Sequence, residues 1–366
     1  MIRVFGWGLS GMAAGRVLSP FRLSMRQFRK NKIAMTSLVV LAILYLMALF
    51  ADFLAPYHYD HTSRDAYHPP TRPHILGSEK GGPYIYEHEP VDRGEKIYHR
   101  TERQLALCFF VRGDSYRFLG LIPSRLHLFG VDGDKHMIYL FGADGLGRDI
   151  FSRLLFGARI SLTVGLVGIA VTFTLGMIIG GVAGYVGRWV DNLIMRLCEL
   201  LQSIPRFYLL VALGAVLPAE IPSGQKYLFI ILILSFVGWA GMARVIRGMV
   251  LSVRENDFVG AARALGLSHL RIILRHILPN TLTYCIVAAT LSVPYYILGE
   301  VNLSYLGLGI KEPQPSWGNM LVDAQSIRVL SDHTWVIVSG LAIFVTVLAF
   351  NFVGDGLRDA FDPEKY

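Results

Sequence analysis

Five stretches of this chain carry no Asp, Glu, Lys or Arg: Ile33 to Ala51, Ile160 to Gly187, Tyr227 to Ala243, His276 to Gly299 and His333 to Gly354. Roughly 20 apolar helical residues cross the ~30 Å of bilayer hydrocarbon, so four of these runs span it readily. The 17-residue run from Tyr227 sits at the lower limit. A sixth run, Phe207 to Ala219, has only 13 residues. Extended back to Leu200 it makes a full crossing, with Arg206 reaching toward the interface and Pro205 kinking the helix. Composition agrees, since 53% hydrophobic and 17% charged residues in 366 are too apolar for a soluble domain of this size. The expected fold is an all-α polytopic membrane protein with six transmembrane helices.

Charge then orients the chain. The net charge is +8, and Arg3, Arg16, Arg22, Arg26, Arg29, Lys30 and Lys32 precede or open the first apolar run with no acid among them. The excess is thus one juxtamembrane tail and not a nucleic-acid surface. Basic flanks stay in the cytoplasm, which puts the N-terminus inside and, after six spans, the C-terminus inside too. Arg244, Arg247, Arg254, Arg263, Arg271 and Arg275 then fall in a cytoplasmic loop. Glu300 to Asp332 has four acids against Lys311 and Arg328 and falls outside. The basic region and apolar core are both too long for a cleaved signal peptide, so a signal anchor is expected. Cys108, Cys198 and Cys285 lie in an external loop, near a cytoplasmic helix end and inside a span, where no pair can bridge.

The resulting organisation is a basic tail (1–32), a first span (33–55), an external insert (56–147), a five-helix core (148–354) containing a cytoplasmic loop (247–278), and a cytoplasmic C-terminal tail (355–366). The insert begins Pro- and His-rich and reads as irregular. From Leu105 the short apolar runs Leu105 to Val111, Tyr116 to Ile122, Leu126 to Val131 and His136 to Phe141 predict a small antiparallel sheet. Turns are expected between them at Gly113-Asp114, Pro123-Ser124 and Asp132-Gly133-Asp134. Eight of the eleven histidines lie in this insert, but their spacing is irregular and only His58 and His61 are close. No metal site is expected.

The cytoplasmic loop reads Gly260-Ala-Ala-Arg-Ala-Leu-Gly266 and then Arg271-Ile-Ile-Leu-Arg-His-Ile-Leu-Pro-Asn280. Asp257 sits near its start, where an acid suits a helix N-terminus. A single helix here would align Ala261, Leu265, Ser268 and Ile272, with Arg263, Arg271 and Arg275 elsewhere. Such a helix is either an ordinary interfacial one or a docking peg. In the second span Gly176, Gly180 and Gly184 form a stripe that permits close helix approach. That approach serves either a partner subunit or a contact within this one. Two glycine patterns in the tail, Gly6-Trp-Gly-Leu-Ser-Gly11 and the Gly8-Leu-Ser-Gly11 inside it, lack the strand or span that their chemistry needs. No Gly-x-x-x-x-Gly-Lys-Ser/Thr loop exists, so ATP phosphates are not cradled here by that route.

The cytoplasmic loop resembles the coupling loop of permease subunits of ATP-binding-cassette (ABC) importers: Glu-Ala-Ala, three residues, Gly, nine residues, Ile, one residue, Leu-Pro. Ala261, Ala262, Gly266, Leu278 and Pro279 fall on that pattern; Gly260 replaces the acid and His276 the isoleucine. The approach to the second span resembles the peptide/nickel branch, of the dipeptide and oligopeptide permease "C" type. Gly142, Asp144, Gly147, Arg148, Asp149, Ser152, Arg153, Gly157, Arg159, Ser161 and Leu162 match, and Ala143 stands where threonine is usual. Leu303-Ser-Tyr-Leu-Gly-Leu-Gly309, Pro313-Gln-Pro-Ser-Trp-Gly-Asn-Met-Leu321 and Gly354-Asp-Gly-Leu-Arg-Asp-Ala-Phe-Asp-Pro363 match the same branch. The insert from about Ser63 to Met137 is longer than the branch's usual connection.

The resemblance implies a permease subunit of an ATP-driven importer of di- or oligopeptides in the cytoplasmic (inner) membrane. It further implies a second homologous permease, two ATPase subunits that hold ATP and Mg, and an external solute-binding protein. This chain itself would hold no cofactor. Ala261, Ala262 and Gly266 would be small because the ATPase comes close. Glu300, ending a span, is placed with Ser304 and Tyr305 as a possible substrate path, meeting a peptide amino terminus. The insert is placed to touch the binding protein or the partner permease. A nickel-complex importer of the same branch is the alternative cargo reading. An ATPase-independent secondary transporter or channel is the alternative class, disfavoured by the lack of a visible inverted repeat and of intramembrane charges. No paired carboxylates, span-borne Ser/His or His-Glu-x-x-His set supports an enzyme.

Overall fold

A helix with no internal Gly or Pro and no charge past its first residue can fill a membrane with its backbone groups satisfied, and Lys32–Leu49 (α2) does so. Its N-cap Asn31 accepts from the Ala34 amide at 3.1 Å. The computed structural model describes residues 20–362 except 76–80, 93, 95, 119, 132–135 and 219. The two tail glycine patterns, the Asp132-Gly133-Asp134 turn and most of the basic tail lie outside the described residues. Before α2 comes a short helix, Pro20–Lys30 (α1), and after it one turn, Ala51–Leu54 (α3).

Five helices or helical runs among the described residues are long and apolar enough to cross a membrane. They are α2; Ile150–Val186 (α4); Ser223–Val253 (α7); the run His269–Tyr305, which ends in Leu282–Tyr305 (α10); and the run Thr334–Phe361, which ends in Val338–Phe361 (α13). The second span starts ten residues before the predicted Ile160. Its charges are consumed locally: Arg159 donates to the Ala48 and Leu49 carbonyls that α2 leaves open, and to Asp52 at 2.7 Å. Asp149 caps the helix by accepting from the Ser152 amide at 2.7 Å.

The third crossing is not a kinked helix. Arg188–Ser203 (α5) and Arg206–Val216 (α6) meet at 85° across Ile204 and Pro205. Proline lacks the amide that would continue the ladder. α5 begins at the far end of α4 beside Arg254, and α7 begins where the Ser223 hydroxyl donates to the Lys311 carbonyl at 3.3 Å. The bent pair therefore carries the chain from one end of the bundle to the other, making six crossings among the described residues.

The glycine stripe has an intrasubunit answer. A Cβ at Gly176 would meet Met242 at 2.7 Å, one at Gly180 would run into the Ala243 carbonyl, and one at Gly184 would sit 2.8 Å from the Arg247 carbonyl. All three residues belong to α7, so α4 and α7 touch backbone to backbone. On another face of α4, Gly165 and Gly168 receive Val293 and Tyr296 of α10, whose hydroxyl donates to Thr172 at 2.7 Å.

The insert forms an open three-stranded antiparallel sheet, Tyr84–Asp92 (β1), Ile97–Phe118 (β2) and Ile122–Val131 (β3). It corrects the expected strands. β1 arises in the stretch read as irregular, and His136–Phe141 is not a strand. Leu105–Val111 and Tyr116–Phe118 are one continuous β2, because the Gly113-Asp114 turn signal is a register shift between Arg112 and Tyr116. A Cβ at Gly113 would meet the His127 ring at 2.8 Å, so that glycine makes room for a side chain and does not reverse the chain. The short helices Trp317–Met320 (α11) and Ile327–Asp332 (α12) complete the loops at this end.

Candidate functional site

The predicted site residues separate to the two ends of the bundle. At the basic end α7 stops at Val253, and Arg254 donates to the Gly184 carbonyl at 2.9 Å. Asp257–Ala264 (α8) follows, with Asp257 in its first turn. It ends because Gly266 adopts a φ of +74°, with its amide donating to the Arg263 carbonyl and that of Leu267 to the Ala262 carbonyl. These two bonds form a Schellman stop, and they break the single long helix expected over this loop. His269–Ile272 (α9) then starts a second helix, which passes through a π turn at Ile273–Ile277 and a 3-10 turn at Leu278–Thr281 into α10. Pro279 sits in that tight turn.

The expected stripe therefore splits. Ala261, Leu265 and Ser268 are exposed, while Ala262 and Ile272 are buried inside this subunit. Ala262 is small because it packs against its own chain. Among the described residues nothing lies within 4 Å of a hypothetical Cβ at Gly260 or Gly266, and Leu265 is 80% exposed. Arg271 is exposed, His276 half-buried and Leu278 buried. Tyr185, at the end of α4, fixes the platform. Its hydroxyl takes the Arg263 Nε–H at 3.3 Å and bonds His269 Nδ1 at 3.1 Å, and the Arg263 guanidinium lies 5.1 Å over its ring. No sequence motif pointed to Tyr185; its place one residue past the glycine stripe is the only signal.

At the opposite end the residues before α4 form an ionic lock. Asp144 accepts from the Leu146 and Arg148 amides and from Arg148 Nε at 2.7 Å. Gly147 holds a φ of +72°, and a Cβ there would strike Ser63. Arg148 and Arg153 both grip Glu312, Arg153 at 2.9 and 3.0 Å, and Arg153 also donates to the Tyr59 and Pro313 carbonyls. Arg153 is 1% exposed, so its five donors need these partners. Burial works against the Arg148 charge, but Glu312 and Asp144 outweigh it and its pKa rises. Burial pushes the Asp149 carboxyl up to about 7 and raises that of Asp323. A cleft of ~660 Å³ opens among Arg148, Glu312, Ser304, Asn319 and Asp323. Glu312 and Asp52, the carboxylates that complete these arginine pairs, were missed by the sequence reading because they lie over 100 residues from their partners.

Glu300 has no exposed surface. Its carboxylate accepts from Ser161 on α4 at 2.9 Å and from Ser304 at 2.7 Å. Each serine in turn accepts a backbone amide, Trp317 onto Ser161 and Ile310 onto Ser304. In this conformation Glu300 and Ser304 knit two spans to the loop carrying α11. Of the three residues set on a substrate path, Glu300 and Ser304 are buried and Tyr305 is exposed on this subunit.

Among the described residues this is a six-crossing helical bundle, with the basic α8–α9 loop at one end and the ion-paired loops before α4 at the other, the architecture of a multi-pass membrane protein. Residues 173–365 match the family described as binding-protein-dependent transport system inner membrane component, and residues 19–70 match the N-terminal TM domain of oligopeptide transport permease C. The chain belongs to this family of binding-protein-dependent transport permeases. A dipeptide transport system permease protein of Bacillus subtilis is 36% identical over 340 residues, covering 93% of this chain and 84% of that protein. A glutathione transport system permease protein of Escherichia coli O6:K15:H31 is 32% identical over 370 residues, 99% of each. Among solved structures, the inward-facing MetNI methionine ABC transporter gives a TM-score of 0.44 at 20% identity, covering 58% of this chain and 97% of that one. As a permease of this family, the chain is a translocation component.

Proposed function

We propose that this chain is one of two permease subunits of an ATP-driven importer that moves di- or oligopeptides across the cytoplasmic membrane, with both termini in the cytoplasm. Two ATPase subunits bind ATP and Mg, an external solute-binding protein delivers the peptide, and a second homologous permease completes the pathway. The observation that carries this reading is the α8–α9 platform. It holds a mid-helix glycine, Gly260, where no described residue comes within 4 Å of a hypothetical Cβ, although glycine in a helix interior costs about 1 kcal/mol relative to alanine. A flat surface that is kept small, flanked by exposed Leu265 and Arg263, fits a groove on another protein. Tyr185 ties the platform to α4, so a push on α8 reaches a span directly.

The relatives named for dipeptide and glutathione transport support a peptide cargo. Extraction through a C-terminal tag followed by mass spectrometry should recover two ATPases and a second permease in near-equal amounts. A homo-oligomer without ATPases would replace this reading with a secondary transporter. Gly260→Trp should leave the chain in the membrane but lower peptide-stimulated ATP hydrolysis about tenfold, the cost of losing about 1.4 kcal/mol at the interface.

A further inference from the structure

We propose that the tip of the β2–β3 hairpin dips into the headgroup and acyl boundary of the leaflet at the Phe50 end of the first span, as a second membrane anchor beside α2. The hairpin descends along the start of the insert toward the bilayer. Phe110 of β2 lies beside Phe53 of α3, with ring centroids 6.3 Å apart. Further along the strand, Phe118 lies beside Phe50, with centroids 5.6 Å apart. Phe50 follows directly on the last residue of the transmembrane helix, so Phe118 sits at the depth where the hydrocarbon ends. The turn beyond it projects Leu121 and Ile122, which are 82% and 62% exposed. Gly120 takes a φ of +74° there, and the Leu121 amide donates to the Phe118 carbonyl at 3.0 Å.

The exposed tip is continuous with an apolar surface that must face lipid. Val39, Ile43, Leu46, Leu49 and Phe50 of the first span are all exposed in this subunit. Two large aliphatic side chains at a hairpin turn belong in water only if something covers them. The charge around them selects phospholipid as the cover. Arg117 and Arg125 flank the tip and are exposed, and no Asp or Glu occurs from Ser115 to Val131. Apolar residues at the point with arginines just behind suit acyl chains below phosphates. This inference rests on the membrane span alone and is independent of cargo and of the ATPase.

The test uses the full chain with Cys108, Cys198 and Cys285 replaced, reconstituted in nanodiscs of equal parts phosphatidylcholine and phosphatidylglycerol. A polarity-sensitive fluorophore is placed at Leu121→Cys, at Ile122→Cys and, as the aqueous control, at His99→Cys. Probes at 121 and 122 should lose most of their emission to doxyl-labelled phosphatidylcholine and resist iodide, with the reverse at 99. Quenching by iodide at 121 and 122 equal to that at 99 would overturn the inference. Protection from both quenchers, which means a protein cover, would overturn it as well.

Discussion

Glu300 shows how far one residue can be read from sequence. Its position at the end of a charge-free run marked it as unusual, and an ionisable residue there invites a substrate role. The structure gives it two serine donors from different elements and no surface. Each serine accepts a backbone amide on its oxygen and donates its single proton to the carboxylate, which as an anion can only accept. Glu300→Ala should strip acceptors from two buried hydroxyls and leave a void, lowering stability by about 2 to 4 kcal/mol. Glu300→Gln, which keeps the volume and one acceptor, should lose less. Thermal unfolding of the detergent-solubilised protein would show this order; equal stability of all three forms would return Glu300 to a substrate role. The partners Ser161 and Ser304 are 139 and 4 residues away, so only the second was legible from a helix period.

At the level of elements, the runs without charge located every long span, because burial in lipid leaves a compositional mark that needs no partner. Helix limits were less legible: Arg159 looked like a boundary, but its carbonyl and carboxylate partners let the helix extend outward past it. The glycine stripe was legible as close packing but silent on its partner, which is α7. Gly180→Ala should therefore force α4 and α7 apart at the Ala243 carbonyl and destabilise the isolated subunit by about 1 to 3 kcal/mol. Gly260→Ala, in open space within a helix, should be neutral or stabilising by up to about 1 kcal/mol. Melting curves of the two variants test the contrast. A neutral Gly180→Ala would mean that the stripe serves another subunit.

The insert adds a pH response. His68 is buried, with Nδ1 2.7 Å from the Pro69 carbonyl and its ring packed among His88, Tyr98 and Tyr139. Burial pushes its pKa down from 6.5 to about 4. The folded state thus stays neutral while the unfolded chain takes up a proton near 6.5, so stability rises with pH through this window. It is lost as pH falls from about 6.5 to about 4, by roughly 3 kcal/mol in full. Protease resistance of the insert should fall on acidification, and His68→Leu should flatten that dependence. An unchanged slope in the variant would remove His68 as the cause.

For the molecule as a whole, the number of crossings decides where everything faces, and here sequence and structure contribute different halves. Charge bias assigns a side to the tail, and the apolar runs reach six only by counting the short third one around Pro205. The fold puts the two ends of that segment at opposite ends of the bundle. A Cβ at Gly356 near the end of α13 would meet Phe28 of α1 and Ala34 of α2, so the first and last helices share one end of the bundle. The end of α13 also lines a cleft with Met249 of α7 and Asn280 before α10. An odd number of crossings cannot bring these ends together, and the α5–α6 pair supplies the sixth. A fluorescent protein fused after Tyr366 should therefore light up, while alkaline phosphatase there should stay inactive; fused after Ala219, the phosphatase should be active. An inactive phosphatase after Ala219 together with an active one after Tyr366 would mean that α5 and α6 re-enter on one side without crossing. The last span would then run the other way, and the platform around Gly260 would face away from any cytoplasmic ATPase.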